Sequence, residues 1–504
     1  MPANAATATA ASTSITYAGG TSAVQIIAAT GARVNKSGVE SFASPSAAAP
    51  ELDAAIPAKK TTSPPGKTKP ISRPVSMKMM PRTPISPSVE ITESASKRFI
   101  TPRLAYASAV SLDREYRPRM HFTPAKNWMN DPNGLVWHKG EYHLFFQHNP
   151  SGTQWGHMSW GHAVSKDLIQ WEELPVAIAE SDDGAIFSGS AVSIGDEIVA
   201  IYTRHTETNQ SQCIARSLDN GRTFVKFDNN PVLDENKKDF RDPKVFRYQD
   251  YWIMCAVQPW DHQVSFYKSL DLITWQHLSD FGPAAAIGGV WECPDLFPLT
   301  LDGNEYWVLL VSLNPGGLYG SGTQYFIGDF DGTTFTPKYS TDEPRWLDFG
   351  RDNYAGVTFD SEPNGKRILI AWMANWEHIK EHPATSWTNA MTIPRELGLA
   401  KYAGEIVVTQ QPMCLPTYEI KVAMPQSGVV GVQGFVTVGY NADKKTIFVD
   451  QFEAPYETNA DQLHLKVVVD QSSVELFTGD GIRSITVATF PPLGTSRELT
   501  SFSQ

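Results

Sequence analysis

Five short apolar runs recur along this chain at intervals of about 55 residues. They are His143–Gln147 (HLFFQ), Ile198–Tyr202 (IVAIY), Tyr251–Ala256 (YWIMCA), Trp307–Val311 (WVLLV) and Ile368–Met373 (ILIAWM). Each has the length and the aromatic and aliphatic content of a buried strand. A second pattern repeats between them in the same phase. Ser165-Lys-Asp167-Leu-Ile-Gln-Trp171 returns as Ser269-Leu-Asp271-Leu-Ile-Thr-Trp275. Looser copies are Ser217-Leu-Asp219-Asn-Gly-Arg-Thr-Phe224 and Gly328-Asp-Phe-Asp331-Gly-Thr-Thr-Phe335. Asp, Asn and Gly make a turn, and the aromatic that follows caps the next strand. Each unit therefore reads strand, strand, turn, strand, with no helical period between units. Repeated all-β units of this size predict a β-propeller, and five copies between about 120 and 400 predict five blades. An ordinary β-sandwich with evenly spaced strands would not give two separate motifs one common phase.

Composition marks the same block. All fourteen tryptophans lie between Trp128 and Trp387. Charge divides the chain as well: residues 1–115 carry 13 Lys+Arg against 7 Asp+Glu, and the remainder 29 against 47. The head, residues 1–115, is first rich in Ala, Ser and Thr. It then turns proline-rich and basic between Ser63 and Glu90, and is expected to be a disordered tail. Its start, MPANAATATAASTSITYAGG, lacks the basic residues and the long apolar run of a secretory signal. Residues 116–400 are the expected propeller. Residues 403–504, free of tryptophan, read as a separate β-sandwich: Leu463–Val469 begins in alternation, and the strands SVELFT and SITVAT flank Gly479-Asp480-Gly481.

These features exclude several classes of protein. No run approaches 18 apolar residues, so no membrane-spanning helix is expected. The acidic body argues against binding a nucleic-acid backbone. Cys213, Cys255, Cys293 and Cys414 are isolated, so neither a disulfide scaffold nor a CxxC zinc site is expected. The histidines at 138, 143 and 148, and those at 157 and 162, stand five apart. On a strand such spacing alternates faces, so no metal is expected. Phosphate loops and dinucleotide fingerprints are absent from the sequence, and no cofactor is expected.

In a propeller the innermost strands of all blades line one axis, and polar residues at their entry converge from distant positions. Ahead of the five runs, at similar lags, stand Asp131, Ser188, Asp242, Glu292 and Asp352. Three carboxylates sit in unusual settings: WMNDPNG around Asp131, FRDP around Asp242 and GGVWECPD around Glu292. Proline follows each at once or after one residue, and biases its predecessor toward extended geometry. Clustered carboxylates in an apolar site split their pKa values, so that one stays ionised while another serves as an acid. Arg241 would hold Asp242 ionised, and Glu292, between Trp291 and Cys293, is the better candidate for a raised pKa. That division of labour is what glycoside hydrolysis requires. The tryptophans fit as platforms for sugar faces. Cys293 has no evident His–Asp partner set and is not expected to be a nucleophile.

At these same motifs the sequence resembles glycoside hydrolase family 32, the β-fructofuranosidases that include invertases and inulinases. The likeness runs over about residues 117–504 and includes SWGHAVSKDLIQWEE, FSGSA, LNPGG and IPREL. SLNPGG followed by GSGTQYF looks most like the fungal exo-inulinases. The resemblance implies a five-bladed propeller followed by a β-sandwich, and retention of anomeric configuration. It implies Asp131 as nucleophile, Glu292 as acid/base, and Asp242 as stabiliser of the oxocarbenium-like state, gripping sugar hydroxyls with Arg241. It also implies Asn130, Gln147, Trp155, Phe187 and Ser188 as fructose-pocket positions and Trp376 as a pocket wall. The partner it implies is a sugar: sucrose, inulin or levan. Two departures stand out. Asp352-Asn353-Tyr354 replaces Asp-Phe-Tyr at the pocket rim, and the sandwich is short between about Pro416 and Asp461. The family's secreted location is implied without a signal peptide to match it.

Rival readings are a fructosyltransferase using the same site, a carbohydrate-binding protein without turnover, and an inverting propeller hydrolase acting on arabinans or xylans. Retention of all three carboxylates argues against a lectin, which has no need of a paired acid and nucleophile.

Overall fold

The computed structural model of the chain describes residues 12–14, 24–28, 112–414, 416, 418–424, 427–432, 435–498 and 500–501. Each of the five apolar runs is the second strand of its own antiparallel sheet. Blade I comprises Asn127–His138, Glu141–Asn149, Ser159–Ser165 and Trp171–Ile178. Blade II comprises Ala185–Ile194, Glu197–His205, Gln210–Ser217 and Val225–Lys226, with Leu233–Lys237 also on the third strand. Blade III runs through Arg241–Tyr248, Tyr251–Gln258, Gln263–Ser269 and Gln276–Phe281. Blade IV runs through Val290–Leu301, Asn304–Gly317, Gly320–Phe330 and Phe335–Pro337. Blade V takes Tyr354–Thr358, Arg367–Met373, Arg395–Tyr402 and Glu405–Pro412. First strands touch one another in the order I, II, III, IV, V and back to I. That closed ring is the five-bladed propeller the repeats predict. Trp387–Thr388, in the long excursion of blade V, pairs parallel to Asn127–Trp128 of blade I and ties the last blade to the first.

The second repeated motif is the turn between third and fourth strands. In blade I, Leu168 N–H donates to Ser165 Oγ (2.8 Å), while Ile169 and Gln170 N–H donate to Asp167 Oδ1 (2.9 and 2.8 Å). Blade III repeats the set at Ser269 and Asp271 (2.9, 2.8 and 2.7 Å). These bonds hold Leu168 and Leu272 both at φ 65°, a conformation that a leucine adopts only when its surroundings impose it.

The tail is a two-sheet β-sandwich. One sheet holds Tyr418–Ala423, Gln462–Val469, Ser473–Thr478 and Ser484–Ala488. The other holds Gly428–Val432, Val436–Asn441, Thr446–Val449 and Phe452–Pro455, with Thr500–Ser501 at its edge. Alternate residues, among them Val438, Ile447, Leu465, Val467 and Leu476, fill a dry core between them. The stretch 416–461, which looks depleted in sequence, carries four of the five strands of the second sheet. Two short strands of the head are paired: Ser12–Ser14 with Val24–Ala28, and the latter with Tyr418–Ala423. The proline-rich stretch, expected to be disordered, lies outside the described residues. Around the expected boundary, Asp113 Oδ1 accepts Thr385 N–H (2.5 Å) and Tyr116 OH donates to Pro491 O (2.6 Å).

Candidate active site

All five innermost strands share a defect at one end. Pairing with the second strand slips between Met129 and Pro132, Phe187 and Gly189, Arg241 and Lys244, Glu292 and Asp295, and Tyr354 and Val357. A bulge leaves a residue unpaired and re-aims its side chain. Asp131, Ser188, Asp242, Cys293 and Ala355 all lie within these slips. Proline suits such places because it has no N–H to lose. The prolines were expected to hold their predecessors extended. Asp242 (φ 62°) and Cys293 (φ 46°) instead occupy the left-handed region, as does Ala355 (φ 53°).

The bulges bring one group from each blade into contact. From blade II, Ser188 Oγ donates to Asp131 Oδ2 of blade I at 2.9 Å, while Asp131 Oδ1 is buried without a hydrogen-bond partner. From blade IV, Cys293 N–H donates to Asp242 Oδ2 of blade III at 2.9 Å. The Cys293 thiol stands 3.7 Å from both Asp131 Oδ2 and Asp242 Oδ2. Asp242 N–H is held by Thr203 Oγ1 at 3.0 Å. Glu292 receives Arg241 Nη2 at 3.0 Å on one oxygen and the hydroxyl of Tyr354, from blade V, on the other.

Arg241 was expected to serve Asp242. Its closest carboxylate bond goes to Glu292, and Nε is 3.7 Å from Asp242 Oδ2. Burial pushes Asp242 up to about 7, against the opposing pull of Arg241. Burial likewise pushes Asp131 up to about 6, reinforced by the charge of Glu292 and opposed by the Ser188 bond. Burial raises the Tyr354 hydroxyl and the Cys293 thiol well above their ordinary values, so both remain proton donors.

The remaining expected pocket residues gather at the same end. Asn130 Oδ1 accepts Trp128 Nε1 (2.6 Å). Gln147 is buried with Nε2 unpartnered. Phe187 stacks on His205 at 4.2 Å and meets Trp155 edge-on at 6.2 Å. Trp376 stacks on Trp128 at 5.9 Å and abuts Trp372 at 4.9 Å, forming a wall. Asp352, the polar residue ahead of the fifth run, does not join them. It accepts Ala488 N–H (2.8 Å) of the sandwich and pairs with Arg351 (3.0 Å). Blade V contributes Tyr354 instead, which the sequence placed only within the rim tripeptide Asp352-Asn353-Tyr354 and gave no role. Asn353 is buried, with neither end of its amide bonded, so it is not an exposed rim residue. Among the described residues no His/Cys/Asp/Glu group is arranged to hold a metal ion.

Comparison with known proteins agrees with this architecture. The model for the glycosyl hydrolases family 32 N-terminal domain matches residues 121–412, and that for the family 32 C terminal matches 420–504. The chain is similar to a levanase of Bacillus subtilis, 40% identical over 455 residues, covering 75% of this chain and 67% of that one. It is similar to an extracellular exo-inulinase of Aspergillus niger, 36% identical over 490 residues, covering 76% of this chain and 91% of the relative. Among solved structures, the exo-inulinase of Aspergillus awamori aligns with a TM-score of 0.72 at 34% identity, covering 77% of this chain and 96% of that one. Five blades that each place one group around a carboxylate cluster, followed by a sandwich and matched over both units, make this chain a glycoside hydrolase that belongs to glycosyl hydrolases family 32.

Proposed function

We propose that the protein is a retaining, exo-acting β-fructofuranosidase that releases fructose from sucrose and from the ends of fructans such as inulin and levan. The observation that carries the reading is the contact set around Cys293, which brings Asp131, Asp242 and Glu292 from three blades to one point. The likeness to a levanase and to exo-inulinases supports the choice of sugar.

Asp131 attacks the anomeric carbon of the fructosyl unit through its free Oδ1 while Glu292, acting as the acid, passes a proton to the departing oxygen. A covalent fructosyl ester on Asp131 results. Glu292, now ionised, takes a proton from water; the water oxygen attacks the same carbon, and the ester bond breaks to return Asp131 and free fructose. Two displacements restore the original configuration. Asp242 and Arg241 grip sugar hydroxyls and steady the positive charge that develops between the steps. Trp376 and Trp128 wall the pocket.

Fructose release from sucrose, inulin and levan is the test, with Asp131→Ala and Glu292→Ala as controls. Each variant is expected to lose activity by about 10²–10⁴-fold or more. Undiminished activity in both would overturn the assignment. The first-formed anomer, followed by proton NMR, should match the substrate's; inversion would remove the covalent step. Trisaccharides at high sucrose would move the reading toward fructosyl transfer.

A further inference from the structure

In each antiparallel blade the first strand starts at the catalytic end and the second returns to it. The loop between second and third strands therefore lies at that end, and the turn between third and fourth strands at the other. This sorts the exposed apolar side chains. Ile169, Leu218, Leu270 and Ile273 belong to far-end turns. Trp155 (52% exposed), Trp260 (68%) and Leu318 (44%) occupy the catalytic-end loops of blades I, III and IV.

The two tryptophans flank opposite halves of the reaction. Trp155 lies against Phe187, next to Ser188 and hence the nucleophile. The loop of Trp260 is clamped to the start of the strand that carries the acid. Pro259 O accepts Trp291 N–H at 3.1 Å, His262 Nε2 meets Gly289 O at 2.6 Å, and the His262 ring sits edge-on to Trp291 at 6.0 Å. Trp260 is thus adjacent to a residue bonded to the neighbour of Glu292. The acid protonates the leaving group, so the leaving group lies on this side. An indole more than half exposed contributes little to core packing, whereas its flat apolar face suits the C–H face of a sugar ring.

We infer that Trp260 is a stacking platform for the second sugar on the leaving-group side of the cleaved bond, and so favours fructan chains over sucrose. The inference rests on the proposed reaction. Trp260 stands outside the buried cluster, so the ring it meets is one beyond the sugar whose oxygen Glu292 protonates. Sucrose, with a single leaving sugar, ends short of it.

The test compares steady-state kinetics of the full chain and its W260A and W260F variants on sucrose, inulin and levan. W260A should raise KM for a fructan about tenfold, the scale of one lost aromatic contact, with kcat little changed. KM for sucrose should move by less than about twofold. W260F, which keeps a ring, should recover most of the loss. Sucrose turnover in the same preparations reports that the fold is intact. An unchanged fructan KM, or an equal rise for sucrose and fructan, would overturn the inference while leaving the proposed function standing. A wild-type chain that releases fructose from none of the three would remove both.

Discussion

Cys293 makes contact with both buried aspartates, yet it carries no charge. Its N–H and thiol face Asp131 and Asp242 while its neighbour Glu292 turns to Arg241 and Tyr354. A neutral donor bridges the two carboxylates, and burial raises both pKa values, with the charge of Glu292 adding to each. Such groups titrate as a set, so the pH profile belongs to the cluster. One member can still be moved in a known direction. Ser188 Oγ donates to Asp131 Oδ2 and favours its ionised form. In Ser188→Ala the Asp131 pKa, already up to about 6, rises further. A smaller fraction of the enzyme then holds Asp131, the proposed nucleophile, ionised on the acid side. The acidic limb of kcat/KM on sucrose should therefore shift to higher pH. An acidic limb at the wild-type position would show that Ser188 does not tune Asp131.

Blades are built from two devices that serve opposite ends. The Ser-x-Asp turns close the third and fourth strands at the far end, and the bulges of the first strands open the catalytic end. The turn bonds are local and repeat almost unchanged, which marks them as structural. Asp167→Ala removes the acceptor for Ile169 and Gln170 N–H and loosens the turn that holds Leu168 at φ 65°. It should cost about 1–2 kcal/mol, a few degrees in Tm by calorimetry. kcat/KM on sucrose should stay at the wild-type value, because the turn is remote from the cluster; a large loss of activity would contradict that separation. The bulges behave differently, since each serves a different side chain and a different neighbour.

Propeller and sandwich share a buried charged seam. Arg395 of blade V is fully buried and donates to Asp348 Oδ2 (3.0 Å), Gln410 Oε1 (2.8 Å) and Thr486 Oγ1 (2.6 Å), and to Glu475 of the sandwich. Glu475 Oε1 also meets His121 Nε2 (2.7 Å), whose Nδ1 meets Asp470 Oδ2 (2.8 Å). Burial alone would lower the His121 pKa, but the bonds to Asp470 and Glu475 override it and push the ring up to about 9. The folded state therefore binds a proton more tightly than the unfolded chain. This contribution is full below the ordinary histidine value of about 6.5 and is lost as pH rises through about 9. Tm should fall as pH is raised from about 6.5 past about 9, and His121→Gln should flatten that slope while lowering Tm at neutral pH. An equally steep slope in the variant would place the alkaline sensitivity elsewhere.

Repetition made much of this protein legible in one dimension. The strand runs, the Ser-x-Asp turns and the three carboxylate motifs are local patterns, and each depends only on residues a few positions apart. They determined the blade count and the all-β class, and they pointed to Asp131, Asp242 and Glu292, which the fold brings together. Their electrostatic partners were not legible. Arg241 is adjacent to Asp242 in sequence yet its closest carboxylate bond is to Glu292, because a bulge turns neighbouring residues to different sides. Tyr354 and Cys293 entered the site, and Asp352 left it for the sandwich seam, through contacts between strands far apart along the chain. Which groups a carboxylate meets depends on the closure of five sheets into a ring. Closure is a property of packing across the axis, and no local pattern encodes it.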